Sequence, residues 1–166
     1  SDTDINPDAE SALGKLSYTS REVQARGWHW NKELSYPIDP SPDGEIVLPQ
    51  NCLRVETADT SVWMDLVDRG GRLYDRAKHT FAIGEKVYVD MVVALPFEQL
   101  PAAARWYIAV KAARRFAVGK IPSEAAYRFS KADEDEAKIA LDHAEDDTDD
   151  TTMADHSPHV RKMRRK

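Results

Sequence analysis

Apolar residues along this chain change period twice, from helical to alternating and back to helical. Near the start, Leu13, Leu16 and Val23 recur at helical spacing behind Asn6-Pro7-Asp8. Asn6 can cap a helix, Pro7 suits its first turn because the missing N–H would have no intrahelical acceptor, and Asp8 complements the positive end. Gly27 then offers the left-handed residue at which helices commonly stop. A helix over about Pro7 to Arg26 is predicted, with a stripe so thin that it needs another helix beside it.

The period then shortens. Trp28-His29-Trp30 alternates, which predicts an extended segment with Trp28 and Trp30 on one face. Pro37, Pro40, Pro42 and Asp43-Gly44 predict a turn-rich connection. Ile46-Val47-Leu48 and Leu53-Arg54-Val55 read as short strands split by Pro49. The runs Val62 to Val67 and Arg72 to Asp75 flank Gly70-Gly71, a hairpin signal. Val87, Val89, Met91 and Val93 alternate with Tyr88 and Asp90 as a half-buried strand. Together these predict a small antiparallel sheet over about residues 46–94.

Helical spacing returns after Leu100-Pro101. Ala103, Trp106, Tyr107, Val110, Ala113 and Ala117 form one predicted stripe, while Ile108, Ala109, Ala112 and Phe116 lie off it. The helix is therefore apolar over much of its circumference, with Arg105, Lys111, Arg114 and Arg115 breaking through. Either the rest of the domain wraps it, or it packs on its own domain and on a neighbouring subunit as well. A third helix is predicted from about Ser123 to Glu145, with Ala126, Phe129, Ala137, Ala140, Leu141 and Ala144 as candidate buried positions. No strand–helix–strand alternation occurs, which excludes a doubly wound parallel sheet. The expected fold is α+β: a body over residues 1–146 with about three helices and a small antiparallel sheet between the first and second, then an extended C-terminal arm over 147–166.

Composition sharpens this picture. At 166 residues, 42% of them hydrophobic, the chain can bury one real core but not two comfortable ones. A single cysteine, Cys52, excludes an internal disulfide framework and fits a reducing compartment. No apolar run is long enough to cross a bilayer, and no charged-then-apolar leader is present. The chain opens at Ser1 without a methionine, so its natural start is expected upstream. The net charge of −6 argues against a general phosphate-gripping surface. That charge is uneven. Asp133-Glu134-Asp135-Glu136 and the Asp146 to Asp150 region are acidic, whereas Arg161, Lys162, Arg164, Arg165 and Lys166 end the chain with positive charge. Such an arm has almost nothing to bury, so its order is expected to come from a partner or sister subunit.

Candidate chemistry is sparse. No phosphate loop, dinucleotide fingerprint or nucleophile elbow occurs. Arg69-Gly70-Gly71 resembles an RNA-binding box, but one copy between two strands reads as a turn. His156, His159 and Asp155 fall short of a zinc set, with Pro158 between the histidines and Cys52 distant. Asp147, Asp149 and Thr151 suggest a calcium loop, yet Thr152 and Pro158 stand where glycine and glutamate are required. The acids of Asp133 to Glu136 point to different sides of a helix and read as a solvated face rather than a magnesium site. No catalytic residue, metal or cofactor is expected.

Several segments, in order, resemble one family. They are Arg26-Gly27-Trp28-His29-Trp30-Asn31 after a helix, Leu48-Pro49, the run Arg69-Gly70-Gly71-Arg72-Leu73-Tyr74-Asp75-Arg76, Leu100-Pro101 before Arg105-Trp106-Tyr107-Ile108 and Lys111-Ala112-Ala113-Arg114-Arg115-Phe116, and the acidic helix through Asp133-Glu134-Asp135-Glu136-Ala137. Across about residues 6–145 this series is similar to the tail tubular protein A family of short-tailed, T7-like bacteriophages. The resemblance implies a structural adaptor, or gatekeeper, subunit in the virion tail. It implies a dodecameric homo-oligomeric ring beneath the portal protein and above a tail nozzle protein, without enzymatic activity, cofactor or membrane contact. DNA would pass through the lumen during ejection without specific binding, and assembly would take place in the host cytoplasm. Members of that family usually begin with a further helix, which is missing ahead of Pro7, and the basic end after Val160 lies outside the shared pattern.

The expected interface residues are Arg105, Lys111, Arg114 and Arg115, the acids Asp133, Glu134, Asp135 and Glu136, and the terminal Arg161, Lys162, Arg164, Arg165 and Lys166; Gly27, Gly70 and Gly71 are expected at structural turns. The competing reading is a small nucleic-acid-binding or regulatory module that uses the basic helix stripe and basic C-terminus.

Overall fold

A computed structural model describes residues 7–61, 63–118 and 124–156. The chain divides into a helical unit, Ser1–Ser20 with Phe97–Lys166, and a β unit, Arg21–Pro96. Among the described residues, three α-helices and a small antiparallel sheet make it an α+β protein. The unit boundary falls within the first helix, α1 (Pro7–Gln24), so the β unit begins well before the expected residue 46.

In the helical unit, α2 (Ala102–Val118) packs against α3 (Glu124–His156). The buried residues are Ala104, Tyr107, Ile108 and Ala112 on α2, and Glu134, Ala137 and Leu141 on α3. This corrects the predicted α2 stripe. Its members Trp106 and Ala113 are exposed, and the face that packs runs through Ala104 and Ile108 instead. Two apolar stripes share Tyr107 on this helix, and periodicity alone cannot choose the one that meets α3. The second correction concerns the end of α3. The helix passes the expected stop at Glu145 and continues to His156, so residues 147–156 are helical rather than extended. No glycine or proline interrupts that stretch before Pro158, and the Thr148 hydroxyl donates to the Ala144 carbonyl at 3.0 Å, one turn back. The remainder of the arm, with Arg161 to Lys166, lies outside the described residues.

The β unit is built on a three-stranded antiparallel sheet in the order β1-β5-β2, formed by β1 (Lys32–Ile38), β2 (Cys52–Thr57) and β5 (Val87–Val93). The strand β5 alternates as predicted and carries the core. Val87, Val89, Met91 and Val93 are buried with Ile46, Leu48, Met64 and Leu73. A two-stranded hairpin, β3 (Leu66–Asp68) with β4 (Leu73–Asp75), completes the unit.

The turn-rich reading missed β1, which is solvent-facing along nearly its whole length. Pro37 fits there because an edge strand leaves every second N–H unused by the ladder. Ile46-Val47-Leu48 forms no strand. Single bridges join Val47 to Arg72 and Glu45 to Ala82, while Ile46 and Leu48 still enter the core. The first arm of the predicted hairpin is also shorter, because Ser61 accepts from the Met64 N–H at 3.0 Å and turns the chain there.

Trp28-His29-Trp30 is not extended. His29–Asn31 is a 3-10 turn, although the Trp28 and Trp30 rings do stack, with centroids 6.2 Å apart. The cause is Asn31, which is buried. Its Oδ1 accepts from the Trp28 N–H at 2.8 Å, and its Nδ2 donates to the carbonyls of Gln24 at 3.0 Å and Val93 at 2.9 Å. Just before it, Gly27 ends α1 at φ 81, as its sequence position predicts. A Cβ there would stand 2.9 Å from the Val92 Cγ2, so both backbone and space require glycine.

Gly70 and Gly71 both have positive φ, 67 and 77, in the hairpin turn. The turn is tied further by the Asp68 carboxylate, which accepts from the Gly71 N–H at 2.8 Å. An added Cβ meets nothing at either position, so Gly71→Ala isolates backbone strain from crowding. Its expected cost is about 1–2 kcal/mol, read as a lowered urea midpoint with an unchanged slope.

Candidate assembly surface

Side chains on α1 and α2 of the helical unit enclose an apolar groove of about 300 Å³. Ala12, Leu13 and Leu16 form one wall, and Ala109, Ala112, Ala113 and Phe116 form the other. The spacing i, i+3, i+4, i+7 on α2 places these residues on one side of the helix. Alanines keep the floor low, and Leu13 remains 61% exposed. Trp106, Tyr18 and Val118 are further exposed large apolar residues of this unit. In the sequence, Ala109, Ala112 and Phe116 stand off the main stripe of α2, and Leu13 belongs to a thin one. The available signal was the excess of apolar positions around α2, which exceeds what α3 covers.

The predicted basic residues do not act as one patch. Arg114 is ion-paired through its Nε to Glu134 across α2 and α3, and both side chains are largely buried. Arg115 donates to the Thr19 hydroxyl at 3.1 Å and lies 5.8 Å from the Tyr18 ring centroid, which ties α2 to α1. Lys111 lies along Tyr107 and donates to its hydroxyl at 3.3 Å. Arg105 is exposed, one turn before Ala109 on the groove side of α2.

The predicted acidic residues divide in the same way. Glu134 faces inward, whereas Asp133, Asp135 and Glu136 are exposed, with Asp135 paired to Lys131 on its own helix. Arg114 and Glu134 therefore serve the interior of one helical unit, and the four acids do not form a common site. Among the described residues, no three His, Cys, Asp or Glu side chains group as metal ligands. His159 lies outside the described residues.

In the β unit, arginines stitch the hairpin rather than project from it. Arg72 makes a bidentate pair with Glu45 at 2.8 and 3.0 Å, Arg76 chelates Asp65, and Arg69 stacks 3.7 Å from the Tyr74 ring centroid. The RNA-box reading of Arg69-Gly70-Gly71 thus gives way to a turn whose cations have partners in the unit. The Cys52 thiol has its pKa pushed up, first by burial and then by the negative charge of Asp68. Only the thiolate is nucleophilic, so Cys52 is expected to react with iodoacetamide at pH 7.5 more slowly than an unstructured cysteine peptide, and to catch up when urea unfolds the chain.

No helix among the described residues is long and apolar enough to cross a membrane. No curated protein matches the chain. The family model described as tail tubular protein matches residues 1–151, which takes in both units and nearly all of α3. On that match, which covers far more than half of its length, the chain belongs to the tail tubular protein family and is a structural component of the phage tail.

Proposed function

We propose that this chain is the adaptor subunit of the tail, assembled with copies of itself as a dodecameric ring between the portal and the nozzle. The observation that carries the reading is the α1–α2 groove, an apolar surface that the described residues of the helical unit build and leave open. Apolar contact must supply most of the assembly energy, because exposed ion pairs contribute only about 0–1 kcal/mol each. In this reading residues 1–146 form the body of the ring subunit, and residues 147–166 form an arm toward the portal whose first part continues α3. The net charge of −6 suits a channel through which DNA slides without gripping. The nucleic-acid-binding alternative is disfavoured, because Lys111, Arg114 and Arg115 are engaged inside the helical unit. Electron microscopy of the virion tail tests the proposal. A ring of this chain directly beneath the portal is expected, and a position in the nozzle, away from the portal, would overturn it.

A further inference from the structure

The helical unit carries two exposed surfaces, each with an apolar centre and a charged rim. The first is the α1–α2 groove, with alanines on its floor and Arg105 at its end. On α2, the helix that supplies half of it, Arg105 is the exposed cation, while Lys111, Arg114 and Arg115 are held within the unit. The second is the outer face of α3. There Ile139 is 57% exposed, on the same side as Glu136 three residues earlier and Asp146 seven residues later, both also exposed. One surface is an apolar hole with a cation at its rim. The other is an apolar knob between acids.

A single helical unit does not bring the two together. Ile139 lies two positions from both Ala137 and Leu141, which are buried, and two helical residues subtend about 200°. Ile139 therefore projects from the far side of α3. We infer that the groove of one subunit receives the Ile139 face of α3 from the next subunit, a head-to-tail contact between copies of this chain. The inference rests on the ring reading above. It fits a ring because a contact between two different surfaces leaves an open assembly with one unused groove at one end and one unused knob at the other, and both are filled only when the chain of contacts closes. A hydrophobic knob in an apolar hole supplies affinity, while Arg105 against Glu136 and Asp146 sets orientation and excludes the reversed pairing.

Cysteine crosslinking in virions tests the contact separately from the position of the ring. In a Cys52→Ser background, Ile139→Cys and Ala113→Cys alter two exposed positions on the two surfaces. Oxidised virions of the double variant are expected to give a ladder of covalent multimers on denaturing gels, and each single variant only monomer. Double-variant virions that contain the chain but yield no ladder would overturn the contact. So would a single variant that yields dimers, which would mark a symmetric contact. A second measurement does not need the cysteines. Arg105→Glu is expected to lower phage titre at least tenfold, and Glu136→Arg with Asp146→Arg in the same chain to restore it; full titre with Arg105→Glu alone would overturn the pairing. A ladder from a ring located away from the portal would refute the adaptor reading and leave this contact standing.

Discussion

Glu134→Ala is expected to destabilise the helical unit by about 3 kcal/mol, at the low end for breaking a buried ion pair. The Arg114 and Glu134 side chains are only 18% and 9% exposed, so the change strips the carboxylate from a guanidinium that water barely reaches. The loss includes the desolvation of a guanidinium deprived of this carboxylate and not merely a missing attraction. For a chain of this size it corresponds to a fall of roughly 6–12 °C in melting temperature. The double variant Arg114→Met with Glu134→Leu removes both charges and keeps apolar volume between the helices. It is expected to recover at least half of the lost stability, because a packed apolar pair is often equivalent to a buried ionic one. A Glu134→Ala variant within about 1 kcal/mol of the parent, or a double variant no better than the single, would contradict this account. Urea unfolding followed by far-ultraviolet circular dichroism reads both.

Asn31→Leu is expected to be comparably severe in the β unit, costing about 3 kcal/mol or more. Leucine keeps the branched shape, with two bulkier methyls in place of the amide oxygen and nitrogen, but neither accepts from the Trp28 N–H nor donates to the Gln24 and Val93 carbonyls. Each buried polar group that loses its partner costs about 1–3 kcal/mol. The 3-10 turn depends on the same side chain, so the Trp28–Trp30 stack should loosen and tryptophan fluorescence shift to longer wavelength. Asn31→Asp separates packing from hydrogen bonding. A carboxylate placed against two carbonyl oxygens is disfavoured, so its folded-state pKa rises above the unfolded value of about 3.9. Its penalty is therefore absent below that value, where the neutral acid can donate, and grows as pH rises through and beyond it. Asn31→Asp that is no less stable at pH 7 than at pH 4, relative to the parent at each pH, would rule out this role for Asn31.

Much of the fold is legible in the sequence where local signals and burial agree. Pro7 and Gly27 bracket α1, the Val87–Val93 alternation marks the central strand, and Gly70-Gly71 marks the hairpin, each through a conformational preference written within a few residues. The misreadings occur where a distant partner decides. Trp28 to Asn31 looks extended until the Asn31 amide finds the Val93 carbonyl, 62 positions away. β1 contains Pro37 and few buried side chains, so only its pairing with β5 identifies it. The α2 stripe could be read two ways, and α3 makes the choice. The candidate surface is legible in part. A surplus of apolar residues around α2 was visible, but the inward turn of Arg114 and Glu134 was not, because a charged residue at helical spacing gives no sign of whether water or another charge will meet it.

Gln24 carries a consequence for how the β unit is joined to the rest of the chain. Its side-chain amide accepts from the Leu95 N–H at 2.7 Å and donates to the Leu95 carbonyl at 3.0 Å, so the first and last parts of the unit are held side by side. Closing a loop of this length by chance would cost conformational entropy that grows with the logarithm of its length. Here folding of the β unit accomplishes the closure itself. The approach of Gln24 to Leu95 is then set within the unit, whatever the length of chain between them. The Gln24–Leu95 clamp thus makes the β unit self-closing, its entry and exit fastened by the unit's own hydrogen bonds.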